Sequence, residues 1–248
     1  MIRVGCAGWS IPKSFSAAFP EEGSHLRRYS ERLDTVEINS SFYRSHQRKT
    51  YARWADSVPP DFRFSVKLPR AITHEARLAR PEALLECFFA EIAGLETKLG
   101  CVLVQLPPSL GFDKGVVRRF LDSLRNQFAG PCVMEPRHAT WFDEEAGRLL
   151  SQFNIGRVAA DPAVVPDAAH PGGDGTLAYY RLHGSPRKYY SNYDDAHLRH
   201  LMAVLRAAAK NTREVWCIFD NTALGFAIGN ALEVRAATER STRIRRTR

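Results

Sequence analysis

A parallel α/β barrel, with eight strands alternating with helices, is the fold class this sequence predicts, on three observations. Eight short apolar runs recur along the 248 residues, and most are separated by a stretch of helical periodicity. Runs such as Cys101-Val102-Leu103-Val104 are continuously apolar, as strands buried on both faces are. Three runs also end in two polar residues spaced i, i+2: Glu37 and Asn39, Glu135 and Arg137, Arg181 and His183. A period of two places each pair on one side of its strand, at the C-terminal end, where barrels of this class build their sites.

The strands are expected at Arg3–Ala7, Thr35–Ile38, Arg63–Lys67, Cys101–Gln105, Cys132–Glu135, Arg157–Ala160, Ala178–Leu182 and Val215–Phe219. Between them, Ser24 is placed to cap Leu26–Leu33, and Lys49–Val58 puts Tyr51, Trp54, Ala55 and Val58 on one face. Pro81 suits the first turn of Glu82–Leu99, with Gly100 as its stop. Asp113 and Asp143 are caps for Val116–Phe128 and Glu144–Phe153. His197–Lys210 and Ala227–Ala237 complete the helices. The alternation breaks once. Between Asp161 and Leu177 stand three prolines and three glycines, which exclude a helix. The expectation is therefore a (β/α)8 TIM-type barrel with an irregular sixth βα unit, spanning residues 1–238 as a single domain. A doubly wound sheet binding a dinucleotide is disfavoured, because Gly5-Cys6-Ala7-Gly8-Trp9 is not G-x-G-x-x-G and puts a tryptophan where phosphate would approach.

Composition sets the class. Hydrophobic residues at 44% and charged residues at 25% are those of a globular protein. No apolar run reaches the ~18 residues of a membrane span, and Met1-Ile2-Arg3-Val4-Gly5-Cys6 reads as a strand and not as a signal peptide, so a cytoplasmic protein without a membrane partner is expected. The five cysteines form no C-x-x-C pair and four of them sit in strand-like runs, which makes them buried apolar side chains. Half of the formal net charge of +8 lies in residues 239–248, with five arginines and one glutamate, and this segment is expected to be a disordered basic tail. Such a tail makes nucleic acid a secondary candidate partner. Oligomeric state is not addressed by the sequence.

Several motifs together resemble one family. They are Gly5-Cys6-Ala7-Gly8-Trp9-Ser10, Thr35-Val36-Glu37-Ile38-Asn39-Ser40-Ser41-Phe42-Tyr43, Phe64-Ser65-Val66-Lys67 with Ile72-Thr73-His74, Gln105-Leu106-Pro107-Pro108, Glu135-Pro136-Arg137-His138-Ala139-Thr140-Trp141, and Tyr180-Arg181-Leu182-His183-Gly184. In this order, over residues 5 to 235, they are similar to the YecE-like family, domain of unknown function 72. The resemblance implies a TIM-type barrel and no defined activity. The chain departs from the family pattern at Ile11 and Ser14, at Arg44 (no proline follows Phe42-Tyr43-Arg44), and at Asp220-Asn221.

In a closed barrel the polar residues at the strand ends converge on one mouth. Glu37, Glu135 and His183 are the catalytic candidates. Trp9, Asn39, Tyr43, Lys67, His74, Gln105, Arg137, Asp161, Arg181, Asp220 and Asn221 are the substrate-binding candidates. Arginine's planar fork suits phosphate or carboxylate, so Arg137, Arg181 and Lys67 make a clamp for a small anionic molecule, with acid–base chemistry from the carboxylates and the histidine. No cofactor is expected. A divalent metal held by Glu37, Glu135, Asp161, His183 and Asp220 is the alternative, giving a metal-dependent hydrolase or isomerase of nucleic acid or sugar, although the interleaved cations oppose it. A site that binds without reacting, and a salt-bridge network that merely closes the barrel, are the other two readings. In the loop Arg187-Lys188-Tyr189-Tyr190-Ser191-Asn192-Tyr193, Arg187 and Tyr193 are the candidates for contact with a ligand. His25, His46, His170, His197 and His200 are expected at the surface.

Overall fold

The structure is a computed structural model and describes residues 1–246, with side chains as far as Glu239. The strands are β1 (Ile2–Ala7), β2 (Thr35–Ile38), β3 (Arg63–Lys67), β4 (Leu99–Gln105), β5 (Cys132–Glu135), β6 (Ile155–Arg157), β7 (Ala159–Asp161), β8 (Gly172–Gly173), β9 (Leu177–Leu182) and β10 (Glu214–Phe219). They form one sheet in the order β7-β9-β10-β1-β2-β3-β4-β5-β6-β8, parallel throughout except for the short β6–β8 pairing. One residue, Val158, separates β6, which pairs with β5, from β7, which pairs with β9. The sheet thus curls back almost onto itself as a nearly closed barrel. The expected single strand Arg157–Ala160 is corrected accordingly: at Val158 the chain stops pairing with one neighbour and starts pairing with the other.

Helices α1 (His25–Ser30), α2 (Arg48–Asp56), α3 (Glu82–Ile92), α4 (Lys114–Gln127), α5 (Glu144–Gln152), α6 (Asp195–Asn211) and α7 (Phe226–Arg246) surround the sheet. The capping residues act as their chemistry demands. Ser24, Asp113 and Asp143 accept from the backbone N–H of Arg27, Val116 and Ala146. No α-helix follows β7. In its place stand a 3-10 turn, Pro166–Ala169, and β8. Three helix ends differ most from the expectation: α1 stops at Ser30, short of Leu33, α7 continues past Ala237 to Arg246 and so includes residues 239–246 of the expected tail, and α3 stops short of Leu99. α3 ends at Ile92, a 3-10 turn covers Ala93–Lys98, and Gly100 lies inside β4. Its role there is room for a neighbour, since a Cβ on Gly100 would stand 2.6 Å from the Trp216 ring. The side chains of the basic tail past Glu239 lie outside the described residues. Among the described residues no helix is long and apolar enough to cross a membrane.

Period two sorts the strand residues into two cores. Cys101, Leu103, Val133, Val158, Leu177, Tyr179, Trp216 and Ile218 pack together inside the barrel. A larger cluster, including Val36, Ile38, Phe64, Val102, Val104, Cys217 and Phe219, fills the space between sheet and helices. The floor is closed by Trp216, whose Nε1 donates to Glu214 at 3.0 Å, and by Arg3, which pairs with Glu214 and donates to the carbonyl of Asp61.

Candidate active site at the barrel mouth

The inward face becomes polar toward the strand C-termini. On β3, Ser65 bonds the hydroxyl of Tyr179 across the interior at 2.7 Å, so Lys67, two residues on, points inward one layer higher. On β9 the inward series is Tyr179, Arg181 and, just beyond the strand, His183. Glu37 on β2, Glu135 on β5 and Asp220 after β10 meet it there. All six of these β2, β5, β9 and β10 side chains are nearly or fully buried, with none more than 6% exposed.

Arg181 is the hub. Its Nε and Nη2 donate to the two oxygens of Glu37 at 2.9 and 2.6 Å, its Nη1 donates to Glu135 at 2.6 Å, and Nη2 also reaches Asp220 at 3.1 Å. Tyr179 donates its hydroxyl proton to Glu37 at 3.0 Å. Buried charges persist only when paired and hydrogen-bonded, and this planar guanidinium satisfies three carboxylates at once. Burial alone would raise the Glu135 carboxyl, yet Arg137, Arg181 and His183 hold it well below the usual carboxylate range. Arg181 and His183 lower Asp220 against the same burial.

His183 sits between two carboxylates. Nδ1 is 2.9 Å from Asp220 Oδ2, and Nε2 is 2.8 Å from Glu135 Oε1 and 2.8 Å from Arg137 Nη2, while Arg137 Nη2 is itself 2.6 Å from Glu135 Oε1. A single nitrogen cannot satisfy both neighbours. As an imidazolium it donates to Asp220 and Glu135. As a neutral ring it donates from Nδ1 to Asp220 and accepts from Arg137 at Nε2. The same arrangement of heavy atoms serves both charge states.

Two cations flank this core and stay incompletely satisfied. Lys67 Nζ lies 4.0 Å above the Phe42 ring and has no hydrogen bond or ion pair among the described residues, while burial and Arg181 bring its pKa down to about 8. Arg137 leaves a buried Nε without a partner. Lys188 approaches them, its pKa lowered by burial and by Arg137.

Of the candidates from sequence, Glu37, Glu135, His183, Arg137, Arg181, Asp220 and Lys67 converge. The others do not join the network. Asn221 ties the loop after β9 to α7, donating to the carbonyl of Ser191 and to Asn230. Asp161 stands 3.9 Å from His197 and not beside Glu135. Gln105 donates to the carbonyl of Leu106, and Asn39 keeps a buried, unpartnered Oδ1. Trp9 packs edge-on against Trp54, His74 packs against Phe42, and Tyr43 is 69% exposed on the rim. Tyr193 is buried, accepting from Gly184 N–H, and Arg187 stacks on Tyr190, while the loop residues that interact with the network are Lys188 and Tyr189. Tyr189 has φ +70°, donates its N–H to the carbonyl of His183, and sets its ring edge-on to that imidazole at 5.9 Å. His46 is half-buried, against Ser40, Tyr51 and Trp54. Tyr179 and Ser65 were missed as site residues, although their i−2 spacing from Arg181 and Lys67 already placed them on the inner face.

A resident metal does not fit. Arg181 fills the space among Glu37, Glu135 and Asp220, and no group of three or more His, Cys, Asp or Glu placed to hold a metal occurs among the described residues. A surface hollow of about 630 Å³ between α1 and the end of α2 shares no residue with the network.

A nearly closed, mostly parallel barrel with a buried Arg–carboxylate–His cluster at its mouth defines the class. The chain belongs to the family described as "Protein of unknown function DUF72", whose profile matches residues 3–247. It is 30% identical over 177 residues to YecE of Escherichia coli K12, covering 69% of this chain and 62% of that protein, so it spans under two thirds of that relative. It is 23% identical to YunF of Bacillus subtilis, over 94% of this chain and 93% of that one. Crystal structures of DUF72 family proteins from Thermotoga maritima (25% identity, 96% and 99% of the two chains) and Enterococcus faecalis (22%, 95% and 94%) each superpose with TM-score 0.81.

Proposed function

We propose that the mouth is an active site for acid–base chemistry on a small anionic compound, phosphorylated or carboxylated, with His183 as the proton-transfer group. The sheet is read as a TIM-type (β/α)8 barrel in which β6 and β7 are halves of one strand, and sites of that class lie at this end. The observation that carries the reading is the double engagement of His183 Nε2 by Glu135 and Arg137. Nε2 faces an acceptor in Glu135 and a donor in Arg137, so the ring has a partner there whether it donates or accepts. Glu135 and Asp220 hold the imidazole, and Glu37 anchors Arg181. Arg137, Lys67 and Lys188 supply positive charge with unfilled donors for the anion.

The test is thermal unfolding with phosphate, sugar phosphates and keto acids, each with chelator. An anion at 100 times its Kd adds about 2.7 kcal/mol of stability, a rise of roughly 5–10 °C at ~2–4 °C per kcal/mol. Arg137→Met should erase the rise. If no anion in the panel raises the melting temperature, the reading fails. A rise that needs Mn²⁺ and vanishes with chelator points to the metal-dependent alternative.

A further inference from the structure

Lys67 has properties that an anion clamp does not require. The chain has seven lysines, at 13, 49, 67, 98, 114, 188 and 210. Lys98 donates to the carbonyls of Val58 and Pro59, and Lys114 pairs with Glu145. Lys67 alone is buried, at 6% exposure, on the inward face at a strand C-terminus. Its ammonium has no hydrogen-bond or ion-pair partner among the described residues. It rests on the Phe42 ring, and burial together with the like-charged Arg181 outweighs the opposing pull of Glu37, Asp220 and Glu135 on its charge. A desolvated lysine beside a fixed cation is the arrangement that frees a neutral, nucleophilic amine.

We propose that Lys67 is a nucleophile that condenses with the carbonyl carbon of an anionic keto or aldehyde compound. This rests on the anion-binding reading above and names its substrate class. The amine nitrogen attacks the carbonyl carbon, and the carbonyl π pair passes to oxygen. Both amine protons then leave with that oxygen as water, giving an imine. Protonated, the imine withdraws electrons from the adjacent C–H bond, and His183 is the group that takes that proton. Lys67 ends β3 and Arg137 follows the end of β5, on either side of β4, so one compound can offer its carbonyl to the first and its carboxylate or phosphate to the second.

The native protein is incubated near pH 8 with pyruvate, glyceraldehyde 3-phosphate or acetone, with sodium cyanoborohydride as trap, and the adduct is mapped by peptide mass spectrometry. With its pKa near 8, Lys67 holds far more free base than an ordinary lysine near 10.4. The expected result is that, apart from the exposed α-amine of Met1, Lys67 leads the amines, its adduct forming roughly tenfold or more faster than on Lys13, Lys49 or Lys210. Lys67→Arg keeps the charge and should abolish the adduct. Labelling spread evenly over the lysines, or led by Lys188, overturns the proposal. Equal labelling by acetone overturns the anionic class. Phosphate stabilisation without a Lys67 adduct refutes this inference and leaves the anion-binding reading standing. A Lys67 adduct without any anion stabilisation leaves Lys67 as a nucleophile but refutes the anion-binding reading and with it the anionic substrate class.

Discussion

Replacing Arg181 with methionine removes the hub of the network and keeps an unbranched side chain in the barrel interior. Four hydrogen bonds to three carboxylates disappear together. The damage is uneven. Glu135 keeps Arg137 and His183, and Asp220 keeps His183. Glu37 loses its only ion-pair partner among the described residues and retains just the Tyr179 hydroxyl. Stranding a buried charge costs about 3–5 kcal/mol, which for a domain of this size lowers the melting temperature by roughly 6–20 °C. The pH dependence carries the sign. In the native protein Glu135 and Asp220 are depressed, so their contribution is full above the unfolded carboxylate range and is lost as pH falls through the folded values. Without Arg181 the opposing effect of burial gains on both groups, and the folded state binds protons more readily. The deficit relative to the native protein should therefore shrink between about pH 7 and 5. Urea denaturation of both proteins across that range is the assay. A loss under about 1 kcal/mol at pH 7, or a deficit that does not narrow toward pH 5, would refute the account of Arg181 as the counter-ion of buried carboxylates.

Lys67→Met should stabilise the fold near neutral pH, because the native lysine stays charged at a cost. Its pKa is depressed from 10.5 to about 8, so the gain, at most about 3 kcal/mol, is complete below pH 8 and disappears as pH rises past 10. Parallel urea titrations at neutral and alkaline pH check it. Tyr179→Phe removes the hydroxyl shared by Glu37 and Ser65, and should cost about 1–3 kcal/mol in equilibrium unfolding. Gly5→Ala would place a Cβ 2.0 Å from the Thr35 carbonyl, a backbone atom that cannot step aside, and should fail to fold or lose several kcal/mol. Gly147→Ala, in α5 with open space around it, should gain about 0.4–1 kcal/mol, and one set of melting curves compares the two.

Much of this was legible from residue order alone. Strand positions follow from β-branched runs, and helix starts follow from Ser24, Asp113 and Asp143, because both depend on interactions within a few residues. The i, i+2 rule placed Glu37, Glu135, Arg137, Arg181 and His183 on one inner face, since strand geometry has a fixed period. Boundaries that depend on distant partners were not legible. Gly100, which reads as a helix stop, lies in β4, where a Cβ would meet the ring of Trp216, more than a hundred residues away. The break at Val158 exists because two different strands compete for one segment. The same holds within the site. Sequence named a set of charges at the barrel mouth. Only the tertiary structure decided that Arg181 is consumed by three carboxylates, that Asp161 and Asn221 turn to other partners, and that Lys67 is left without one. Pairing among long side chains is settled by three-dimensional distances, and those have no period along the chain.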